Sequence, residues 1–230
     1  SEKILSKKFL KNALKYFHNK NFGCGSGDYT FESSEVFGES ESFYWKNEKI
    51  LREAEHELGI LPFASGGCML IRKELYKSIQ PYSDIDNVLP LHTLALGKKV
   101  FYAKSAKASD KSVTSEKQHL YKRIRTTQRS FTDMINFIPI LINKKLYIEV
   151  FIIFSHRFFR WSTGIFMFIL FISNLLLLFY SQNFTQLLNY LLYLQLTFYF
   201  FGFIGFLQER LKTKIFILGK LFSLIYSFLI

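Results

Sequence analysis

Asp86 is a residue whose type and position suggest acid–base chemistry. It lies just before residues 88–96, an apolar segment with helical spacing that ends at Gly97. A carboxylate at the start of a helix, facing a cleft, can take a proton from a hydroxyl group. An Asp at this position also commonly caps the unpaired N–H groups of the helix. The sequence is compatible with either role, and one residue can fill both.

Two arginines further along the chain could bind a diphosphate. Arg123 and Arg125 lie in a predicted basic helix, residues 118–131, and their spacing of two keeps them off one shared helix face. A guanidinium group offers a planar fork of donors that suits phosphate oxygens. We expect Arg125 to make the contact, with Arg123 second. The alternative is a solvated basic face beside an anionic membrane.

A third group is the small-residue turn formed by Ser65, Gly66 and Gly67. Glycines without a Cβ allow a ligand to approach the backbone closely. An ordinary surface loop would have the same composition, so the turn is a candidate binding element only in combination with the other two groups.

The elements that must position these residues alternate between helix and strand, which predicts an α/β domain. We expect helices over residues 5–19 (with Ser6 as a possible N-cap), 42–58, 72–78, 88–96 and 118–131, and strands over residues 22–31 and 100–103. The segment 63–71 runs from a small-residue turn into a further apolar strand. Only two cysteines, Cys24 and Cys68, are present, which excludes a disulfide framework. The lysine-rich stretch 98–117 lacks the interleaved aromatic residues of single-strand binders, so we expect no nucleic-acid partner.

The C-terminal part has the composition of membrane-spanning helices. Residues 161–208 contain no Asp, Glu, Lys or Arg, and one crossing needs about 20 apolar residues. We therefore predict spans at 161–180 and 187–207, joined by the polar turn 181–186, and a third near 215–230. Residues 146–160 carry His156, Arg157 and Arg160, which favours an interfacial helix; the alternative is that this segment simply begins the first span.

The charges flanking these segments predict the orientation of the chain. Arg210, Lys212 and Lys214 follow the second span, whereas the turn at 181–186 carries no charge. Basic residues stay on the cytoplasmic side of a membrane. We expect a multi-pass protein of the cell membrane whose N-terminal domain is cytoplasmic.

Several short motifs occur in an order that resembles the C-terminal portion of a membrane-bound family 2 glycosyltransferase, the group of cellulose-synthase-like and hyaluronan-synthase-like enzymes. The motifs are Gly66-Gly67 followed by Ile71-Arg72-Lys73-Glu74-Leu75, then Asp84-Ile85-Asp86 with Gly97 eleven residues after Asp86, and then Lys122-Arg123-Ile124-Arg125.

The resemblance implies a partial GT-A domain over residues 1–145, followed by the interfacial helix and the spans. It implies inverting transfer of a sugar from a nucleotide-sugar donor to an acceptor hydroxyl on a glycan or lipid-linked glycan. Asp86 would be the base, Arg125 with Arg123 would bind the leaving diphosphate, and Ser65, Gly66 and Gly67 would face the acceptor.

The resemblance also implies a divalent cation, Mg²⁺ or Mn²⁺, that is held by an Asp-x-Asp type motif. We expect that motif upstream of Ser1 and no metal ligands within these 230 residues, because the chain begins with a helical pattern that follows the motif in the family. We therefore expect the sequence to belong to a protein truncated at its N-terminus.

A different class of function is a non-catalytic, membrane-anchored adaptor whose α/β part binds a partner or anionic lipid. Three departures from the family pattern favour it: Ile85 replaces an acidic residue, Lys122 a glutamine and Thr126 a tryptophan. An Asp-x-Asp motif upstream of Ser1 would favour the enzyme.

Overall fold

The computed structural model describes residues 3–32, 38–111, 116–180 and 185–211, with side chains over 3–30, 46–109, 124–180 and 186–207. The strands are β1 (Lys3–Leu5), β2 (Phe22–Glu32), β3 (Met69–Ile71) and β4 (Lys99–Lys111). The helices are α1 (Phe9–Leu14), α2 (Gly38–Leu58), α3 (Ile85–Ala95), α4 (Glu116–Asn143), α5 (Tyr147–Ile153), α6 (Phe159–Tyr180) and α7 (Thr185–Leu211). The predicted third span at 215–230 and most of the turn at 181–186 lie outside the described residues.

The four strands form one mixed sheet in the order β1-β4-β2-β3. β2 and β4 run parallel at its centre, and β1 and β3 pair antiparallel on the two edges. Helices and strands alternate along the chain, so the prediction of a mixed α/β domain is confirmed. One compact unit contains the sheet, the helices α1, α3, α4 and α5, and most of α2.

The core of this unit forms around Phe101 on β4, which is fully buried. The ring of Tyr16 stacks on it with centroids 4.9 Å apart, and Phe17 meets it edge-on at 5.1 Å. A Cβ at Gly25 on β2 would overlap the Phe101 ring, so glycine at this position allows a large aromatic group to cover the parallel strand pair.

The start of the chain differs from the predicted helix over 5–19. Residues 3–5 form a strand that pairs with residues 108–110 of β4, and the helix begins only at Phe9. The predicted N-cap is also wrong, because Lys8 occupies that position. The long β4 leaves a free edge that this segment pairs with, and such a contact between distant residues overrides local helical spacing.

The predicted helix over 72–78 is reduced to one 3-10 turn, Lys73–Leu75. Arg72 explains the difference, because its guanidinium donates hydrogen bonds to the carbonyl oxygens of Phe22 (2.8 Å) and Phe17 (2.6 Å). These contacts hold the segment in an extended path beside the sheet.

Helix α3 ends as predicted. Gly97 adopts φ +75°, a left-handed conformation that favours glycine, and its N–H donates to the carbonyl of Leu94 at 2.8 Å. The helix starts at Ile85, three residues earlier than expected. This earlier start changes the role of the acidic residues at its head.

A second compact unit contains α6 and α7. Two helical segments are long and apolar enough to cross a membrane, Tyr147–Tyr180 and Gln186–Leu207. They include the predicted spans 161–180 and 187–207, and the first also includes nearly all of the segment 146–160 that we expected to form a separate interfacial helix. Gln195 and Tyr199 on α7 both donate hydrogen bonds to the carbonyl oxygen of Met167 on α6, at 3.3 and 2.9 Å. These bonds fix the register of the helix pair.

Candidate functional site

Asp84, and not Asp86, caps helix α3. The Oδ1 atom of Asp84 accepts a hydrogen bond of 3.2 Å from the backbone N–H of Asp86, which satisfies one of the unpaired donors at the start of the helix. Asp86 is therefore the second residue of the helix and half-buried. Its negative charge in the first turn is favoured by the helix dipole.

The cap residue also joins α3 to α4 through a polar network. Oδ2 of Asp84 accepts hydrogen bonds from the hydroxyl of Ser130 (2.5 Å) and from the side-chain amide of Asn87 (3.0 Å). Asn87 donates to Ser130 at 2.7 Å as well. The carboxylate of Asp133 accepts the backbone N–H of Asp84 at 2.6 Å. The head of α3 is thus fixed to the middle of α4.

Asp86 contacts the predicted glycine turn through two groups. Its Oδ1 atom accepts the backbone N–H of Gly66 at 2.9 Å. Its carbonyl oxygen accepts the N–H of Ala64 at 3.4 Å, because Pro90, four residues later in the helix, has no N–H to donate to it. The structure therefore brings together two of the three groups of residues singled out in the sequence.

Close packing explains both glycines of the turn. A Cβ at Gly66 would overlap Oδ1 of Asp86, and a Cβ at Gly67 would overlap the ring of Tyr29. Neither glycine has a positive φ. The requirement for glycine is therefore one of space and not of backbone conformation.

Arg52 on α2 holds the same turn from another direction. Its Nη1 atom donates to the hydroxyl of Ser65 at 2.7 Å, and its Nε and Nη2 atoms both lie 3.0 Å from Oε1 of Glu48. The side chain of Arg52 is only 11% exposed. A buried, paired guanidinium keeps its geometry better than a solvated one, so Ser65 is held by α2 while Gly66 is held by α3.

A second buried carboxylate, Asp28 on β2, lies between two lysines. Lys49 on α2 pairs with its Oδ1 at 2.6 Å and Lys107 on β4 with its Oδ2 at 2.7 Å. Burial alone would raise the pKa of Asp28, but the hydrogen bonds and charges of both lysines hold its pKa below the ordinary value. Burial, together with the charge of Asp28, raises the pKa of Tyr102.

Cys68 follows the glycine turn, and both burial and the charges around it shift the pKa of its thiol. Burial raises the pKa of its thiol to about 11, and its S–H lies 3.5 Å from the carbonyl oxygen of Gly27. The positive charge of Arg52 lowers this pKa, whereas the charges of Asp86 and Asp28 raise it. The thiol is buried, and its raised pKa disfavours a nucleophilic role.

The predicted arginines both lie on α4. Arg125 is exposed. Arg123 lies seven residues, about two helical turns, before Ser130 and therefore on the same side of α4 as the network to Asp84. Its side chain lies outside the described part of the structure. The expectation that Arg125, with Arg123 second, contacts a diphosphate stays a prediction.

The described residues do not fit a metal site, since no group of three or more His, Cys, Asp or Glu among them could hold a metal ion. The sequence interpretation missed Asp28 and did not foresee the connection from Arg52 to Ser65. A charged residue inside a predicted strand was the available signal for Asp28, because a buried charge needs partners. The sequence does not reveal which of its 30 basic residues those partners are.

No model of a known protein family matches the chain, and no curated protein sequence matches it. The geometry around Asp86 and the motif resemblance are therefore what bear on function.

Proposed function

We propose that the protein is a membrane-bound glycosyltransferase that transfers a sugar from a nucleotide-sugar donor to an acceptor hydroxyl with inversion. The observation that carries the proposal is the contact between Asp86 and the glycine turn. Asp84 supplies the cap, so capping does not account for Asp86. Its carboxylate is instead oriented against a turn whose glycine at position 66 allows this close approach.

In this proposal Asp86 acts as the base. The N–H of Gly66 fixes one carboxylate oxygen, which orients the group for proton transfer from an acceptor hydroxyl bound against Ser65, Gly66 and Gly67. Arg52 and Glu48 act on the turn from the side of α2 and keep Ser65 in place. These residues position the acceptor and take no part in proton transfer.

The leaving diphosphate would be bound by Arg125 together with Arg123. Support for this role comes from α4, which carries both arginines and is tied to the head of α3 by Ser130 and Asp133. A divalent cation would neutralise diphosphate charge. Because the described residues do not fit one, we assign no step to it.

The proposal includes a multi-pass arrangement in the cell membrane with the α/β unit in the cytoplasm. It is supported by the two helices of sufficient length and by the basic residues after the second one. A cytoplasmic location would give the α/β unit access to nucleotide sugars and suits two unpaired, buried cysteines.

The test is Asp86→Asn in the full-length protein. Asn keeps a carbonyl oxygen that can accept the N–H of Gly66, but it cannot take a proton. With membranes supplied with radiolabelled UDP-glucose, UDP-N-acetylglucosamine and GDP-mannose, we expect D86N to lose about 10²- to 10⁴-fold in transfer rate. Glu74→Gln, an exposed acid on the turn after β3, is the matched control and should keep full activity. Undiminished transfer by D86N would remove Asp86 from the mechanism.

The second candidate is the membrane-anchored adaptor. The observation that favours it is that Asp86 already joins α3 to the glycine turn, a structural role that needs no substrate. It predicts that the wild-type chain transfers no sugar from any of these donors, while D86N remains folded.

A further inference from the structure

Ile85 is an exposed apolar residue directly beside the candidate base. It is the first residue of α3 and lies between Asp84 and Asp86. Ile85 is 43% exposed, whereas both acidic neighbours are half-buried. A single exposed apolar side chain is ordinary on a protein surface and needs no explanation by itself. The position of Ile85 relative to the glycine turn distinguishes it from such residues.

Ile85 and Asp86 border the same point of the glycine turn. A Cβ built on Gly66 would lie 2.8 Å from Cγ2 of Ile85 and would also overlap Oδ1 of Asp86. Gly66 itself is half-buried, so this point is accessible from solvent. A hydroxyl group that reaches the carboxylate of Asp86 here therefore brings its neighbouring atoms next to the side chain of Ile85.

Two polar groups of the glycine turn are already paired. The hydroxyl of Ser65 accepts a hydrogen bond of 2.7 Å from Arg52, and Ser65 is only 7% exposed. The backbone N–H of Gly66 donates to Asp86 at 2.9 Å. An acceptor bound at this point therefore contacts the apolar atoms of Ile85 instead of these two groups.

An apolar side chain at this point favours one class of acceptor. Contact between apolar groups removes their surface from water and stabilises a complex in proportion to the area buried. A hydroxyl group placed against Ile85 would lose water without gaining a hydrogen bond. The site therefore disfavours a hydroxyl-rich glycan chain relative to an acceptor with an aromatic or hydrocarbon group near the reacting hydroxyl.

We propose that Ile85 determines acceptor specificity and selects an acceptor that carries an apolar group within one sugar ring of the hydroxyl that is glycosylated. The proposal rests on the proposed function and names its acceptor class. In the transfer step, the acceptor oxygen bonds to the anomeric carbon of the donor sugar, and the bond from that carbon to the diphosphate oxygen breaks. The hydroxyl proton passes to Asp86, and Ile85 contacts the acceptor without taking part in proton transfer.

The experiment compares two acceptors that differ only in what is attached to the same glucose. Phenyl β-D-glucoside carries a phenyl ring, whereas cellobiose carries a second glucose in the same β linkage. The full-length protein in membranes is supplied with the three radiolabelled donors named above, and kcat/KM is measured for each acceptor. The ratio of the two kcat/KM values reports the preference for the apolar group.

The variants are Ile85→Val and Ile85→Thr, which have nearly the same shape but differ by a methyl group against a hydroxyl. A contact with one apolar group typically changes kcat/KM by about 10-fold or more. We expect the wild-type protein to prefer phenyl glucoside by about 10-fold, I85V to keep most of this ratio and I85T to lose most of it. The loss should come from a higher KM for phenyl glucoside at unchanged kcat.

The matched control is Leu96→Thr at the other end of α3. Leu96 is 50% exposed, similar to Ile85, and lies eleven residues later, about 16 Å along the helix. L96T should therefore keep the wild-type ratio. A ratio that falls equally in L96T and I85T would indicate a general effect on α3 and would overturn the specific role of Ile85.

Other outcomes separate this inference from the proposed function. Equal use of both acceptors by the wild-type protein, or equal ratios in I85V and I85T, would overturn the role of Ile85 while the transfer activity stands. Transfer to membrane material without use of either acceptor would overturn it as well. A wild-type protein that transfers no sugar to any acceptor would overturn the proposed function itself.

Discussion

The backbone N–H of Gly66 donates a hydrogen bond of 2.9 Å to Oδ1 of Asp86, twenty residues further along the chain. This bond links a loop before β3 to the first turn of α3. The carbonyl oxygen of Asp86 strengthens the link by accepting the N–H of Ala64. One residue thereby positions a whole turn, and the space for it exists only because residue 66 has no Cβ.

The first prediction concerns this close approach. Gly66→Ala would drive a methyl group into the carboxylate of Asp86, so the free energy of unfolding should fall by about 1–3 kcal/mol. Gly97, which has open space around it but a φ of +75°, is the control for backbone conformation. Asn tolerates this conformation, so G97N should restore stability relative to G97A.

Replacement by Asn should not restore stability at position 66, because any Cβ there overlaps the carboxylate of Asp86. We therefore expect G66N to be no more stable than G66A. Chemical denaturation of the full chain in detergent micelles, followed by near-ultraviolet circular dichroism, measures all four variants. A G66A chain as stable as the wild type would contradict the close contact with Asp86.

The second prediction concerns Asp84, the N-cap of α3, and leaves the candidate base Asp86 unchanged. Asp84→Ala removes the N-cap of α3 and leaves Ser130 and Asn87 without their shared acceptor. We expect a loss of about 1–2 kcal/mol from the cap alone. Ser130→Ala removes the same bond from the other side, so the double variant should lose less than the sum of the two. Strict additivity in this cycle would mean that the two side chains do not interact.

The third prediction concerns Arg52. Arg52→Gln removes the guanidinium group that pairs with Glu48 and donates to Ser65, so we expect a loss of about 1.5–3 kcal/mol. The control is Lys104→Gln, which breaks an exposed pair with Glu53 of the same helix and should leave the denaturation midpoint unchanged. Equal effects of the two variants would argue against a special role of Arg52.

The fourth prediction is a pH dependence that arises from His56. Burial lowers the pKa of His56, and its ring lies against those of Tyr16 and Phe22 at centroid distances of 5.4 and 5.5 Å. The unfolded chain therefore binds a proton more readily than the folded chain, so stability falls as the pH drops below about 6.5.

His56→Phe keeps an aromatic ring and removes the proton site, so the fall in the unfolding midpoint between pH 7.5 and 5.5 should become smaller. Part of the fall remains, since burial also lowers the pKa of His92. The lowered pKa of Asp28 affects stability only below about pH 4. An unchanged pH dependence in H56F would exclude His56 as a source.

Local patterns of the sequence determined the strand over β2, the helices α3 and α4, Gly97 at the end of α3 and the two long apolar helices. Each of these follows from the period of apolar residues or from the conformational preference of a single residue, and both are properties of short segments. The sequence likewise singled out Asp86, Gly66 and Gly67 as chemically interesting.

Only the tertiary structure decided how these residues are held. Asp84 and not Asp86 is the cap, and α4 brings Ser130 to its second oxygen, a contact across 46 residues. Lys49 and Lys107 reach Asp28 from different elements, and β1 replaced a predicted helical turn because β4 had an edge to pair. Contacts between distant segments depend on how the elements pack, which no local pattern of residues encodes.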